Sequence, residues 1–421
     1  MKQILSLFPI AVVRFSKKQI VHNASMLYLL NAAQLVFPLF TFPYLTRVLS
    51  IEGYAVMAYV RAIMLYMNMW VGFGFLLSAT KRIVQAKDTQ ETGHIVSDTI
   101  LARILLWVSG TVVLGGMCCT ISLLCQNLLF TWLSYGTVFL SCFMMDYLFR
   151  GIEKMHEITI RFVTMKSIST ILTFLLVHSD KDLLRIPLLD ILSSLVALVL
   201  IYFQLSKYNV RLVMPSLSKA WEYLKESFEY FLSEIATTAF GALNTLLIGI
   251  FLPGKDVAVW AVALQLIAMA NSAFRPIISA IYPNMVRNKH FGLIKKVLCL
   301  IVPLIFINCL FCYFASPFII HLAAGTKYLD SVPIFRLMLP VLLFSFPAMM
   351  LGWPSLGAIG KIRQTTFTTI IAACVQCVGL CVLILSGTFS LISVAIMRNI
   401  SEALLLCSRA GFVYKFRKEF K

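Results

Sequence analysis

The sequence predicts an all-α, polytopic membrane protein with about twelve transmembrane helices arranged as two six-helix lobes. Composition is the first observation behind this prediction: of 421 residues, 60% are hydrophobic and only 13% are charged, and the mean hydropathy is +0.89. Soluble domains usually have about a quarter of their residues charged. The second observation is a series of apolar runs of roughly 20 residues, the length that spans a bilayer.

Twelve apolar runs can be placed along the chain, and no loop between them is long enough to form a soluble domain. The runs cover residues 26–46, 54–78, 99–124, 127–148, 158–178, 184–204, 229–252, 257–284, 297–320, 331–352, 366–386 and 389–413. The segment Gly357–Lys361, GAIGK, lacks the glycine spacing and the following Ser or Thr of a phosphate-binding loop. We therefore expect no enzyme activity, no catalytic residue, no metal and no cofactor.

The net charge of +18 reflects membrane topology rather than nucleic-acid binding. Lysine and arginine cluster at both termini and in every second loop, which the positive-inside rule assigns to the cytoplasm. These clusters are Lys2, Arg14, Lys17, Lys18; Lys81, Arg82, Lys87; Arg150, Lys154; Lys207, Arg211, Lys219, Lys225; Arg287, Lys289, Lys295, Lys296; Lys361, Arg363; and Lys415, Arg417, Lys418, Lys421. Twelve spans with both termini cytoplasmic fit this alternation. Residues Ile4–Val13 are expected to form an uncleaved amphipathic segment on the cytoplasmic face.

The chain divides near its middle into two equivalent halves. We predict an N-terminal lobe over residues 1–205, a basic cytoplasmic linker over 206–228 and a C-terminal lobe over 229–421. An offset of 203 residues aligns Val48–Asn68 with Phe251–Asn271, including the two asparagines. An even number of spans in each half makes this a parallel repeat, and transporters built this way bind substrate between the halves. The second and eighth spans should therefore face each other across that interface.

Cations inside the predicted spans mark candidate functional positions, because an arginine at mid-bilayer costs about 2.5–3.5 kcal/mol on insertion scales. We consider six of them: Arg61, Arg103, Lys166, Arg275, Arg336 and Arg398. Three more, Arg161, Arg185 and Arg409, lie near span ends and are set aside. Arg103 and Lys166 lie near cytoplasmic helix ends and are expected to snorkel, and no role is assigned to Arg336.

Carboxylates one helical turn away offer structural partners for two arginines. Glu402 follows Arg398 by four residues and Asp146 precedes Arg150 by four, so we interpret both as intrahelical pairs or packing within a lobe. The aromatic residues Tyr59, Tyr66, Trp70 and Trp260 could stack on sugar faces, but core packing or an interfacial belt is the favoured interpretation.

Arg61 and Arg275 have no acidic residue within a helical turn in sequence. Arg61 shares a helix face with Asn68, and Arg275 shares one with Asn271. Because guanidinium groups bind phosphates through paired hydrogen bonds, two of them along a membrane path predict an anion with several oxygens. The alternative is a structural ion pair between each arginine and a distant carboxylate such as Asp190 or Glu234.

Three segments resemble bacterial O-antigen and polysaccharide flippases of the multidrug/oligosaccharidyl-lipid/polysaccharide exporter superfamily. They are TFPYLTRVLSIEGYAVMAYVRAIMLY, FGFLLSATKRI and DYLFRGIEKMHEITI, in family order between residues 40 and 165. The resemblance implies a two-lobed inner-membrane transporter that moves an undecaprenyl-pyrophosphate-linked oligosaccharide from the cytoplasmic to the periplasmic leaflet. Its partners would be lipid-linked oligosaccharide, membrane lipid and other membrane proteins of polysaccharide assembly, without nucleic acid.

We accordingly predict that Arg61 and Arg275 hold the pyrophosphate while Asn68 and Asn271 hydrogen-bond sugar or phosphate. Energy coupling stays open between the membrane potential and proton entry through a carboxylate, for which the candidates are Glu234, Asp190 and Glu402. One alternative function is drug or cation export, which would favour acidic cavity residues. A membrane-embedded glycan polymerase or ligase is a further alternative, but the external loops are short for such an enzyme.

Overall fold

The structure is a computed structural model, and it describes residues 17–420, except for the side chains of residues 17–22, 24, 233 and 236–241. The expected amphipathic segment Ile4–Val13 lies outside the described residues. Within the described range the chain is helical, without a β-strand. This agrees with the all-α fold that the apolar runs predict.

From residue 17 onward, the first half of the chain forms nine α-helices: α1 (Lys17–Val48), α2 (Ile51–Gly72), α3 (Phe75–Gln85), α4 (Thr89–Thr120), α5 (Ser122–Cys125), α6 (Leu128–Ser141), α7 (Asp146–Gly151), α8 (Met155–Leu176) and α9 (Arg185–Lys207). The second half forms eight: α10 (Leu217–Phe251), α11 (Gly254–Ser272), α12 (Phe274–Asn288), α13 (Phe291–Ala324), α14 (Val332–Met338), α15 (Pro340–Met350), α16 (Ile362–Leu385) and α17 (Leu391–Lys415). A π-helical segment, Leu351–Gly357, follows α15 directly.

Eleven helical stretches in the described part of the chain are long and apolar enough to cross a membrane. The remaining expected span, 229–252, lies within α10, whose described side chains include the apolar stretch Ala242–Phe251. The protein is therefore a multi-pass membrane protein, and the prediction of about twelve membrane helices is confirmed.

Several of the predicted spans, among them 54–78, 257–284 and 331–352, are interrupted helices rather than single rods. The span 54–78 breaks between α2 and α3, where Phe73 and Gly74 adopt the left-handed conformation with φ of 42° and 71°. The span 257–284 breaks at Ala273, between α11 and α12. The span 331–352 consists of α14, α15 and the start of the π-helical segment.

Helix α2 packs against α10 and α11 of the second half, so the helices that the repeat pairs do meet across the lobe interface. Close approach of α2 and α10 depends on Gly249, because a Cβ there would overlap the ring of Tyr59. The Tyr59 hydroxyl donates a 3.3 Å hydrogen bond to the carbonyl oxygen of Leu246. These contacts fix α2 at the centre of the molecule, with the first lobe on one side and the second on the other.

The second part of the predicted linker is helical and belongs to α10, which begins at Leu217. Its first turns are fastened to the first lobe by an ion pair between Arg82 and Glu226 and by a 2.6 Å hydrogen bond between the Ser78 and Ser227 hydroxyls. Further along, α10 packs against α11 and α16. A single helix thus connects the two lobes.

Candidate functional site

A cavity of about 890 Å³ lies between α2 and the second lobe. Its wall includes residues of α10, α11, α12, α14, α15, α16 and α17. We call it the main chamber. A smaller cavity of about 450 Å³, the side chamber, is lined by α1, α2, α8 and α9 of the first lobe.

One face of α2 separates the two chambers. Tyr54, Met57 and Arg61 of that face, together with Gln265 of α11, line both chambers. The three α2 residues follow one another at intervals of three and four, so they project from the same side of the helix. Arg61 lies about 15 Å along the helix axis from Ile51, near the middle of a bilayer about 30 Å thick.

Arg61 and Arg275 both present exposed side chains to the main chamber. Within residues 17–420, no side-chain hydrogen bond or ion pair is found for either guanidinium. The proposed carboxylate partners are engaged elsewhere: Asp190 accepts a 2.6 Å hydrogen bond from the Ser169 hydroxyl, and Glu234 interacts with the backbone of Gly74. The alternative of a structural ion pair for each arginine is therefore wrong in this conformation.

Helix α17 contributes a stripe of charged residues to the main chamber. Arg398, Glu402, Leu405 and Arg409 line it at intervals of three and four residues. Arg398 Nη2 lies 2.9 Å from Glu402 Oε1, with only 12% and 7% of the two side chains exposed. The intrahelical pair predicted for these two residues is confirmed.

Arg409, which we set aside as lying near a span end, is buried at the break in the neighbouring helix. Its Nη1 donates a 2.7 Å hydrogen bond to the carbonyl oxygen of Ala348, and its Nη2 donates a 3.0 Å bond to the Thr369 hydroxyl. Gly352 leaves room for the guanidinium, since a Cβ there would lie 2.8 Å from Nη1. Pro347, Pro354 and Gly352 together signal this break in the sequence.

The main chamber carries a large excess of positive charge. Its described wall contains four guanidinium groups, those of Arg61, Arg275, Arg398 and Arg409, against the single carboxylate of Glu402. The side chamber adds Lys166 and Asp190, whose charges cancel. Cations at membrane depth without matching anions are costly, so this arrangement is suited to an anionic ligand.

Asn271 lines the main chamber, and its Oδ1 accepts a 2.6 Å hydrogen bond from the Ser345 hydroxyl. Asn68 is not among the residues of either chamber wall, and its amide donates a 2.8 Å bond to the Met64 carbonyl oxygen in its own helix. Glu234 likewise lies outside both walls, whereas Asp190 lines the side chamber and Glu402 the main one. The structure thus brings Arg61, Asn271 and Arg275 together, but not Asn68.

Other sequence expectations need correction. Arg103 does not snorkel: it is buried and its Nη1 donates to the carbonyl oxygens of Cys142 and Met144. Lys166 lies in the middle of α8 and lines the side chamber. Asp146 pairs with Arg161 of α8 rather than with Arg150 of its own helix.

Arg336 donates through Nε to the Tyr313 carbonyl oxygen at 3.0 Å and to the Ser316 hydroxyl at 2.7 Å. It fastens α14 to α13 and lies outside both chamber walls. Of the aromatic residues considered, Tyr59 and Trp260 are fully buried. Their interpretation as core residues is confirmed.

The lobes are joined at the end of the molecule that carries residue 50. Arg47 Nη2 donates a 2.5 Å hydrogen bond to the carbonyl oxygen of Leu322. In the opposite direction, Lys327 Nζ lies 3.3 Å from the carbonyl oxygens of Arg47 and Leu49, and the rings of Tyr54 and Tyr328 meet edge to face at 5.7 Å. These contacts join the two lobes at this end, and we call them the latch.

Comparison with known sequences identifies relatives that match about two thirds of the chain. Residues 20–289 match the profile of the family described as polysaccharide biosynthesis protein. A protein of Shigella dysenteriae named "Putative O-antigen transporter" is 28% identical over 266 residues, which are 62% of this chain and 66% of that protein. A protein of Escherichia coli K12 with the same name is 26% identical over 294 residues, 68% of this chain and 71% of its own length.

Solved structures with a similar fold cover nearly the whole chain. The lipid II flippase MurJ in an inward closed conformation superposes with a TM-score of 0.68 at 14% identity, covering 94% of this chain and 87% of MurJ. An inward-facing multidrug resistance MATE family transporter of the MOP superfamily gives 0.64 at 14% identity, covering 93% and 94%. An outward-facing MATE structure gives 0.57 at 16% identity, covering 96% and 97%. The fold is therefore the two-lobed fold of MATE and MurJ transporters.

The matched profile spans well over half of the chain, and the fold and the cationic interlobe chamber are consistent with it. The chain belongs to the polysaccharide biosynthesis protein family.

Proposed function

We propose that this protein is a flippase that moves an undecaprenyl-pyrophosphate-linked oligosaccharide, an O-antigen or other surface polysaccharide repeat unit, from the cytoplasmic to the periplasmic leaflet of the bacterial inner membrane. The observation that carries the proposal is the main chamber, with four guanidinium groups against one carboxylate between two membrane-embedded lobes. The names of the relatives in Shigella dysenteriae and Escherichia coli support the same substrate class.

The two exposed arginines suit a pyrophosphate in particular. Arg61 and Arg275 keep their donor groups free of protein partners within the described residues, and each guanidinium can bind two phosphate oxygens at once. Asn271 and Gln265 in the same wall supply uncharged hydrogen-bonding groups. In this proposal the pyrophosphate meets Arg61 and Arg275, the sugars occupy the chamber, and the prenyl chain stays in lipid.

The distribution of lysine and arginine supports a topology with both termini in the cytoplasm. The latch around Arg47 and Lys327 then lies on the periplasmic side, and the chamber faces the cytoplasm, where lipid-linked oligosaccharides are assembled. Opening the latch while the lobes close at the other end would deliver the headgroup to the periplasm by alternating access.

The membrane potential favours this direction of transport. Moving one negative charge outward from a negative interior is favourable by about 2.3 kcal/mol per 100 mV. Asp190 and Glu402 line the chambers and are the carboxylates placed to couple a proton as well, whereas Glu234 lies outside both walls. Glu402 is already paired with Arg398, which leaves Asp190 as the more accessible of the two.

Export of a cationic drug is disfavoured as an alternative, because a cationic substrate would be repelled by the wall charges. A chamber that binds a cation would need more carboxylates than arginines in its wall, the opposite of what this wall contains. A glycan polymerase or ligase would need an acid and a base facing the periplasm. The external loops are short for such an enzyme, and the acidic residues Asp182 and Asp330 near the latch end are paired with Arg185 and Lys255.

Complementation of a strain that lacks the gene tests the proposal. We expect Arg61→Gln and Arg275→Gln to reduce surface glycan about tenfold or more each, because a charge-assisted hydrogen bond contributes about 1.5–3 kcal/mol. Arg336→Gln is the matched control, since this intramembrane arginine lies outside the chambers. Normal glycan in both cavity variants, at wild-type membrane levels, would refute the proposal.

A further inference from the structure

Trp353 is an aromatic side chain exposed at the wall of the main chamber. Among the described residues of this wall only Tyr54 and Trp353 are aromatic, and they differ in accessibility. Tyr54 is 5% exposed, whereas Trp353 is 51% exposed. Trp353 therefore offers the chamber an indole face of the kind that aromatic binding sites use.

The backbone around Trp353 adopts an unusual conformation that side-chain contacts hold in place. Trp353 lies in the π-helical segment Leu351–Gly357, directly after Gly352, whose ψ of −109° breaks the helix. The Ser355 hydroxyl donates a 2.9 Å bond to the carbonyl oxygen of Met350, which cannot receive one from Pro354. Arg409 lies against Gly352 and bonds Ala348 on the other side of the break.

A glycine fixes the indole itself. A Cβ at Gly357 would lie 3.0 Å from Cε3 of Trp353, which is closer than the ring could tolerate without moving. The indole thus rests on the backbone of Gly357 at one end of the π-helical segment. π-Helical turns are often found at functional sites. Here the π-helical segment carries the Trp353 indole, which lines the chamber.

Hydrogen-bond acceptors line the same chamber as the Trp353 ring. The Thr366 hydroxyl donates to the Ile362 carbonyl oxygen at 3.3 Å, and the Thr369 hydroxyl donates to the Thr365 carbonyl oxygen at 3.2 Å. Because each hydroxyl proton is directed to its own helix, the oxygen lone pairs remain to accept from a ligand. Thr369 already accepts from Arg409, so Thr366 is the acceptor best placed for ligand hydroxyl groups.

We infer that Trp353 is the sugar-stacking platform of the chamber, and that Thr366 of the same chamber wall accepts hydrogen bonds from sugar hydroxyl groups. The inference rests on the proposed function and assigns the glycan part of the substrate to the first turns of α16 and the π-helical segment. A pyranose presents an apolar C–H face to an aromatic ring and hydroxyl groups at its edge, which matches this combination. A lipid pyrophosphate without sugars has no pyranose ring to stack on the indole and no sugar hydroxyl group to donate to Thr366.

Binding of two lipids by the purified protein in nanodiscs tests the assignment. The probes are undecaprenyl pyrophosphate and the undecaprenyl-pyrophosphate-linked oligosaccharide extracted from a strain lacking this gene. We expect wild type to bind the glycosylated lipid more tightly than the bare one. Trp353→Ala and Trp353→Leu should weaken binding of the glycosylated lipid about tenfold and leave the bare lipid unchanged, and Trp353→Phe should retain most of the preference.

Gly357→Ala is a second variant, in which the added Cβ displaces the Trp353 indole without removing it. This variant should lose part of the preference for the glycosylated lipid. Melting temperatures of all variants show whether the fold is preserved, and Trp353→Leu keeps apolar bulk if Trp353→Ala is unstable. If wild type prefers the glycosylated lipid and Trp353→Leu keeps that preference in full, Trp353 is only an interfacial aromatic residue and the inference is wrong. If wild type binds neither lipid better than phosphatidylglycerol, the proposed function itself fails.

Discussion

The guanidinium of Arg409 donates a 2.7 Å hydrogen bond to the carbonyl oxygen of Ala348, four residues before Gly352. The backbone N–H of Leu351 donates to the same oxygen, and the helix breaks at the next residue, Gly352. Arg409 therefore adds a charged donor from α17 to a carbonyl oxygen directly before the break. This arginine therefore has a structural function in the chamber wall, unlike Arg61 and Arg275, although its charge still contributes to the chamber.

Arg409→Lys should destabilise the protein while preserving the charge. A lysine ammonium cannot reproduce the planar fork that reaches both Ala348 and Thr369, and each lost charge-assisted bond costs about 1.5–3 kcal/mol. We expect a lower melting temperature in detergent and a reduced level of correctly inserted protein. Thr369→Val removes one of the partners and should give a smaller decrease. A Lys variant as stable as wild type would show that the break does not depend on this bond.

Glu402→Gln should also reduce stability, because it leaves the Arg398 guanidinium in the chamber wall without its carboxylate. Removing one partner of a buried ion pair typically costs about 3–5 kcal/mol. The double variant Arg398→Gln, Glu402→Gln removes both charges and should recover much of the melting temperature lost by the single variant. Failure of the double variant to recover would indicate that Glu402 acts through another group, for instance as a proton acceptor in transport.

Lys327→Met should shift the protein toward a state open at the latch end. Lys327 crosses from the second lobe to the carbonyl oxygens of Arg47 and Leu49, and loss of about 1.5 kcal/mol shifts a two-state equilibrium roughly tenfold. The readout is labelling of Gln265→Cys by a membrane-impermeant thiol reagent added from the periplasm, in a background without reactive native cysteines. We expect labelling to rise several-fold.

Lys255→Met is the matched control for the latch variant. Lys255 pairs with Asp330 at 2.6 Å at the same end of the molecule, but both residues belong to the second lobe. Loss of the Lys255–Asp330 ion pair in this variant should leave thiol labelling at Gln265→Cys unchanged. Equal labelling in the Lys327 and Lys255 variants would mean that the latch does not hold the lobes together.

Hydropathy predicts the membrane helices well, because it depends on local composition. The repeat alignment through Asn68 and Asn271 also places α2 against α11. Helix breaks are harder to predict, since Gly352 and Pro354 are tolerated in a membrane helix only where other groups support the broken backbone. The Ser355 hydroxyl does so at the Met350 carbonyl oxygen, and Arg409 does so from α17 at Ala348. Sequence distance alone gave no reason to connect residue 409 with residue 348.

The partners of charged residues show the same limit. Arg398 and Glu402 are four residues apart in one helix, so their pair was predictable. Asp146 has an arginine four residues away as well, yet it pairs with Arg161 from the next helix. Asn68 shares a helix face with Arg61, but only Arg61 lines the chambers. Tertiary packing decides among partners that sequence spacing makes equally available.

The most direct test of the central claim is transport in liposomes that contain the purified protein and undecaprenyl-pyrophosphate-linked oligosaccharide. Exposure of the sugars on the outer leaflet is followed by oxidation with impermeant periodate under an imposed membrane potential. We predict that wild type moves the lipid and that the Arg61→Gln, Arg275→Gln double variant is at least about tenfold slower, while Arg336→Gln transports normally. Equal transport by the double variant and wild type would contradict the account.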